Sequence, residues 1–276
     1  MARASRNSPL LGLCVVLSAA CATSPRPVET LDAVLWMQTS VEYASVTVEG
    51  FRSATRQLEP ALGDTSWTAV VERPHGTGAL PPAVILDVDE TVLDNSAYAA
   101  RRLRAGRRYS AESWAAWVEE ASAPAVPGAV DFLRAARARG VTVFFVTNRD
   151  SALEEATRRN LRRIGFPPDT TEDVVLMRGE RPEWGSDKTS RREHVARRHR
   201  VLLLLGDDMN DFVPARKSLA ERRELWERHA ERWGRTWFAL PNPTYGSWES
   251  AVTGDARDLS ERELLSRKIG QLDPGT

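Results

Sequence analysis

Five short apolar runs divide the chain: Ala83–Leu86, Val141–Val146, Val174–Met177, Val201–Leu205 and Thr236–Leu240. They are continuous and do not alternate, which marks strands buried on both faces, and helical stretches separate them. Ala129 to Arg139 has helical character and stops at Gly140; Ser151-Ala-Leu-Glu154 fits a capping box that opens a helix ending by Gly165. This order predicts an α/β domain, a parallel sheet with helices on both faces. Upstream, Val34, Met37, Val41, Ala44, Val48, Phe51, Leu58 and Leu62 form a stripe that predicts one added amphipathic helix ending near Pro60 to Gly63. Residues 95–127 interrupt the rhythm after the first strand as a small helical insertion. Its Tyr98, Trp114 and Trp117 either pack the insertion or form a partial lid.

In such sheets ligands gather at the carboxyl ends of the strands, and the polar motifs fall there. The first strand ends in Asp87-Val-Asp89-Glu-Thr91. Side chains at i and i+2 of extended backbone share a face, so Asp87 and Asp89 can address one small site. A desolvated, unpaired carboxylate is costly, so this pair calls for a cation or a reaction. It suits a carboxylate nucleophile, an acid/base partner and a bound divalent metal. A calcium loop starting at Asp87 fails, because its sixth and twelfth positions hold Val92 and Tyr98 instead of Gly and an acid.

The second strand ends in Thr147-Asn148, a hydroxyl and an amide suited to phosphoryl oxygens, and the fourth in Gly206-Asp207-Asp208-Met-Asn-Asp211. Lys188 is one of very few lysines among many arginines, which hints at a need for a compact point charge. Two carboxylates about 4 Å apart repel by about 4 kcal/mol at an effective dielectric near 20. If Asp87, Asp89, Asp207 and Asp211 converge, a divalent cation, a lysine or a proton must offset them. Mg²⁺ fits best, as a hard ion that takes few carboxylates and keeps phosphate oxygens.

The remaining features bound the class. Arg3 and Arg6 precede an apolar core from Leu10 to Leu17, then Ser18, Ala19, Ala20 and Cys21. The run is shorter than the roughly 20 residues that span a bilayer, so residues 1–20 are expected to be a signal peptide. Its end resembles a lipobox, with Leu17 one place early; Cys21 is then lipidated, or else cleavage after Ala20 leaves a free thiol. Residues 21–29 serve as a polar tether, and residues 30–276 as a single domain. The only cysteines are Cys14 and Cys21, so the body has no disulfide and no cysteine nucleophile. A formal net charge of zero argues against a nucleic-acid polymer as partner. The four histidines, His75, His194, His199 and His229, lack an Arg-His-Gly context and any His-Glu-x-x-His motif.

Asp87-x-Asp89-x-Thr91, Thr147, Lys188 and Gly206-Asp207-x-x-x-Asp211, in that order, resemble the haloacid dehalogenase (HAD) superfamily. Asp87-Val-Asp-Glu-Thr-Val-Leu-Asp-Asn95-Ser-Ala-Tyr98 resembles more narrowly the class C acid phosphatases, bacterial surface lipoproteins with 5′-nucleotidase activity. Leu35 to Tyr43, Pro127-Gly-Ala129 and Leu240 to Trp248 extend the likeness over nearly the whole mature chain. The resemblance implies a Rossmann-like, HAD-like sheet. It implies Asp87 as nucleophile, Asp89 as acid and base, and Mg²⁺ held by Asp87, the Asp89 carbonyl and Asp207, with Asp211 behind. It further implies Thr147, Asn148 and Lys188 on the phosphoryl group, and Tyr245 stacked on a nucleobase. Asp208-Met209 departs from the family's usual amide and Leu, adding a charge near the metal. The implied enzyme is a membrane-anchored, Mg²⁺-dependent acid phosphatase of the cell envelope, acting on nucleoside 5′-monophosphates and pairing as a homodimer. The absence of Asp after Cys21 favours the outer membrane where there is one. A phosphatase for other small phosphates, or a surface ligand-binding lipoprotein, are the alternatives.

Overall fold

A computed structural model describes residues 30–72, 78–169, 171–214, 218–254 and 259–275. The expectations for the signal peptide, Cys21 and the tether lie outside these residues. The chain enters through α1 (Leu31–Thr39) and α2 (Val41–Gly63), then reaches β1 (Pro82–Leu86). The insertion follows as α3 (Ser96–Ala105) and α4 (Ala111–Glu120), and α5 (Ala129–Ala138) leads into β2 (Thr142–Asp150). Next come α6 (Glu154–Arg163), β3 (Val175–Arg178), α7 (Thr189–Ala196) and β4 (Arg200–Gly206). The chain closes through α8 (Leu219–Arg228), β5 (Trp237–Ala239), α9 (Ser247–Thr253) and α10 (Glu261–Ile269).

The strands form one five-stranded sheet in the order β3-β2-β1-β4-β5, with every pairing parallel. The predicted α/β class holds. β1 is central, and the chain steps outward through β2 and β3 before crossing back to β4. Right-handed crossovers then put α7, on the returning connection, opposite the helices of the outward steps. The reversal makes the end of β1 a topological switch point, where a crevice opens. The core is apolar and continuous, including Val84, Leu86, Phe145, Leu176, Leu203 and Trp237, each essentially without solvent contact.

The structure corrects two local expectations. The N-terminal stripe does not form one helix: Ser40 is extended (ψ 138°) and its hydroxyl accepts from Tyr43 N at 3.1 Å, capping α2. The apolar spacing runs across the break, but α1 packs on α3 and α2 on α5 and the sheet, Val41 at the junction is exposed, and the serine's preference for a cap decides the backbone. The expected capping box at Ser151 is also absent. Asp150 does the capping, accepting from Ala152 N at 3.1 Å, and a 3-10 turn over Ser151–Leu153 precedes α6. One glycine is demanded by packing. Gly128 has φ +90°, and a Cβ there would lie 3.2 Å from Phe51 Cβ and Val48 Cα, so Pro127-Gly128 seats α5 directly on α2.

Candidate active site

Asp87 and Asp89 follow β1, and Asp87 N donates to Leu205 O at 3.0 Å, locking the end of β1 to β4. The loop then turns sharply. Glu90 adopts φ 58°, uncommon for a side chain with a Cβ, and its amide donates to Leu93 O at 2.8 Å. That turn directs the Glu90 carboxylate inward, where Oε1 accepts from Asn95 N at 2.8 Å and Oε2 accepts from the Tyr245 hydroxyl. Burial foremost, then the charge of Asp89, pushes the Glu90 carboxyl up to about 8.

Asp207 follows β4, and Asp211 sits in the 3-10 turn Met209–Asp211. Gly206 makes this possible, because the Asp211 side chain lies where a Cβ on residue 206 would be. Oxygens of Asp87, Asp207 and Asp211 come within 4.8 Å of one another. Lys188, 4 % exposed at the entry to α7, donates to Asp87 Oδ1 and, at 2.6 Å, to Asp211 Oδ1. Residues more than a hundred positions apart thus meet at one point. Asp207 Oδ1 accepts from Thr91 Oγ1 and its Oδ2 from Asn242 Nδ2, each at 2.9 Å.

The electrostatics follow from three acids and one lysine brought together below the surface. Burial raises the Asp87 carboxyl to about 7; Lys188 opposes that rise, and Asp211 and Asp89 add to it. Burial first, and then Asp87, pushes Asp207 upward as well, and Asp211 is raised mainly by burial. Lys188 is raised: its own burial works the other way, but Asp211 and Asp87 outweigh it. One cation does not balance this cluster, and the donors are hard carboxylate oxygens, so the residues fit a divalent metal. Asp211, expected one layer behind, offers an oxygen within the same 4.8 Å set.

The other expected residues take different places. Thr147 is fully buried, and its hydroxyl accepts from Arg149 N at 3.1 Å and stands 3.5 Å from Asp89 Oδ2. The Asn148 side chain does not join the acids: its Nδ2 donates to Ser186 O at 3.0 Å and its Oδ1 accepts from Arg191 at 2.7 Å. Its amide therefore holds the loop that delivers Lys188. Arg191 completes that brace through Gly185 O at 2.7 Å and through Thr147 O. Asp208 turns toward Ser247, whose Oγ donates to it at 2.6 Å, tying the acid loop to the segment that carries Tyr245. Tyr245 is 43 % exposed, with its hydroxyl anchored on Glu90. Trp117 and Trp114 pack the insertion against Tyr98 and also reach the site: Trp117 Nε1 donates to Asn95 Oδ1 at 2.8 Å, and Arg149 lies over the Trp114 ring.

Sequence reasoning passed over Glu90, Asn95 and Arg149, although all three lie inside motifs it singled out. It also passed over Tyr43, whose buried hydroxyl has no hydrogen-bond partner among the described residues and is pushed up by burial and then by Asp94, Glu90 and Asp207.

Comparison with known proteins agrees with this geometry. The family described as HAD superfamily, subfamily IIIB (acid phosphatase) matches residues 15–248. The solved class C acid phosphatase from Bacillus anthracis is 31 % identical with a TM-score of 0.79, over 90 % of this chain and 98 % of that one. The class C acid phosphatase from Bacillus anthracis with tungstate bound is 30 % identical with a TM-score of 0.77, over the same shares. The chain belongs to the HAD superfamily, subfamily IIIB. Within that class it is a class C acid phosphatase, a phosphomonoesterase.

Proposed function

We propose that this acid phosphatase is a Mg²⁺-dependent enzyme anchored by lipid at the cell envelope. It hydrolyses small phosphomonoesters, nucleoside 5′-monophosphates in particular, through an aspartyl-phosphate on Asp87. The observation that carries this reading is the meeting of Asp87, Asp207 and Asp211 within 4.8 Å, with Lys188 bridging two of them. The tungstate bound by the related Bacillus anthracis enzyme, a tetrahedral oxyanion like phosphate, is consistent with it.

An Asp87 oxygen attacks phosphorus while the bond to the leaving oxygen breaks, and Asp89 gives that oxygen its proton. Asp89 then takes a proton from the water that attacks the acyl phosphate, returning Asp87 to a carboxylate. Lys188 and Thr147 offset charge on the transferring group. Asp87, the Asp89 carbonyl and Asp207 would hold Mg²⁺, with Asp211 beside them. When bound, the ion supplies Lewis-acid stabilisation of phosphoryl oxygens. Tyr245, open at its ring and fixed at its hydroxyl, offers a face to a base. The lipobox-like leader and Cys21 support the anchor, and pairing as a homodimer accords with the family likeness.

The deciding assay measures release of phosphate from AMP and from an aryl phosphate, with and without EDTA. Chelation and Asp87→Asn should each abolish turnover, with a loss of about 10⁴-fold or more. Hydrolysis that survives either one refutes the reading. Anchoring is tested separately: Cys21→Ala should move the protein from the membrane fraction to the soluble one, and unchanged partitioning removes the lipid.

A further inference from the structure

Asp89 is gripped from one side. Arg149 Nη2 lies 2.8 Å from Asp89 Oδ1, and Nε lies 3.1 Å from Oδ1 and 3.2 Å from Oδ2. Asn95 Nδ2 adds a donor to Oδ1 at 2.9 Å. Oδ1 thereby has three donors, while among the described residues Oδ2 has the contacts from Arg149 Nε at 3.2 Å and from Thr147 at 3.5 Å. Oδ2 is the oxygen with capacity left to exchange a proton.

Arg149 has little freedom of its own. It is 2 % exposed, its Nη1 donates to Thr157 Oγ1 at 3.1 Å, and its guanidinium lies 5.6 Å from the centre of the Trp114 ring. Thr157 is pinned in turn, donating to Leu153 O at 2.9 Å, and Asn95 is oriented by Trp117. The fork geometry of a guanidinium fixes the plane of the carboxylate, which a lysine's point charge would not do. Burying such a pair carries a desolvation cost that apolar packing avoids, so fold stability alone is a weak reason for it.

We propose that Arg149 is a positioning residue for the proton transfer. It engages Oδ1 so that Oδ2 of Asp89 faces the departing oxygen, with the insertion's Trp114 and Trp117 holding the two donors in place. As the phosphorus–oxygen bond breaks, its electron pair goes to the leaving oxygen, which takes the proton from Oδ2. The new carboxylate is received by hydrogen bonds already formed. The proposal rests on Asp89 being the acid and base.

The test compares kcat/KM for two esters, one of an acidic phenol and one of an alkyl alcohol. Only the second needs the proton to leave. Asp89→Asn should lose about 100-fold more on the alkyl ester than on the aryl ester, and Arg149→Met should show the same bias at about 10-fold or more. Arg149→Lys should lie close to Arg149→Met, and the double variant should be no worse than Asp89→Asn alone. Equal losses of Arg149→Met on both esters, no loss at all, or losses that multiply in the double variant overturn the role of Arg149. Absence of the bias in Asp89→Asn overturns the acid/base reading itself. Should Arg149→Met fail to fold by thermal unfolding, Thr157→Val leaves every Asp89 contact in place. It should show a smaller bias of the same sign, and an unbiased loss is likewise fatal to the proposal.

Discussion

Individual side chains here serve the chemistry through the hydroxyls, amides and guanidinium that hold the acids. Tyr245 illustrates the point. Its hydroxyl is buried against Glu90 while the residue as a whole is 43 % exposed, so one end is fixed and part of the side chain is open to a ligand. If the ring stacks on a base, Tyr245→Ala should raise KM for AMP about 10-fold or more, since base–aromatic stacking contributes about 1–3 kcal/mol. The aryl phosphate should lose much less. Equal effects on both would make Tyr245 a packing residue and favour an enzyme for other small phosphates. The Asp208 carboxylate accepts from Ser247 Oγ at 2.6 Å and from Asn210 N at 2.8 Å, which braces the loop, and its charge adds to burial in raising the Asp211 carboxyl.

Among the elements, the turn after β4 is the most exacting. Asp211 folds back over Gly206, and Asp208 N donates to Asp211 Oδ2 at 2.9 Å while Asp208 caps the turn. A methyl group on residue 206 would collide with the Asp211 side chain. Gly206→Ala should therefore cost about 1–3 kcal/mol of stability, the range for overpacking a tight site, and greatly weaken Mg²⁺ affinity. Thermal unfolding and calorimetric titration with Mg²⁺ read the two effects, and a variant normal in both would show that the turn has slack. Elsewhere β2 runs on to Asp150, beyond the apolar run that ends at Val146, because Asp150 pairs with Arg178 after an irregularity in the ladder. Hydropathy marks where a strand is buried, and polar residues at its mouth extend it unseen.

For the molecule as a whole, the acid cluster sets a pH dependence opposite to that of most carboxylates. Asp87 is raised from 3.8 to about 7 and Glu90 from 4.5 to about 8, both chiefly by burial. Between the unfolded and folded values the native protein binds more protons than the unfolded chain. Stability then falls as pH rises through that window, by at most about 1.4 kcal/mol per pH unit for each group. In chelator, the melting temperature should be higher at pH 5 than at pH 8, and Mg²⁺ should flatten or reverse the trend. A melting temperature in chelator that is flat or rises toward pH 8 would contradict the assigned shifts. Within the described residues no helix is long and apolar enough to cross a membrane.

The succession of strands along the chain, the acids at their ends and Lys188 were readable in the linear chain, whereas the order of the strands within the sheet came from the structure. Burial on both faces imposes continuous apolar runs, and catalytic groups at strand ends leave local signatures a few residues long. The break at Ser40 and the grip of Arg149 on Asp89 were not. Partners sixty residues apart, as Asp89 and Arg149 are, meet only through strand register and the turn of each loop, which no local periodicity encodes. Glu90 makes the same case from inside a recognised motif: a positive φ, fixed by its surroundings, turned an ordinary-looking acid into an anchor for Tyr245.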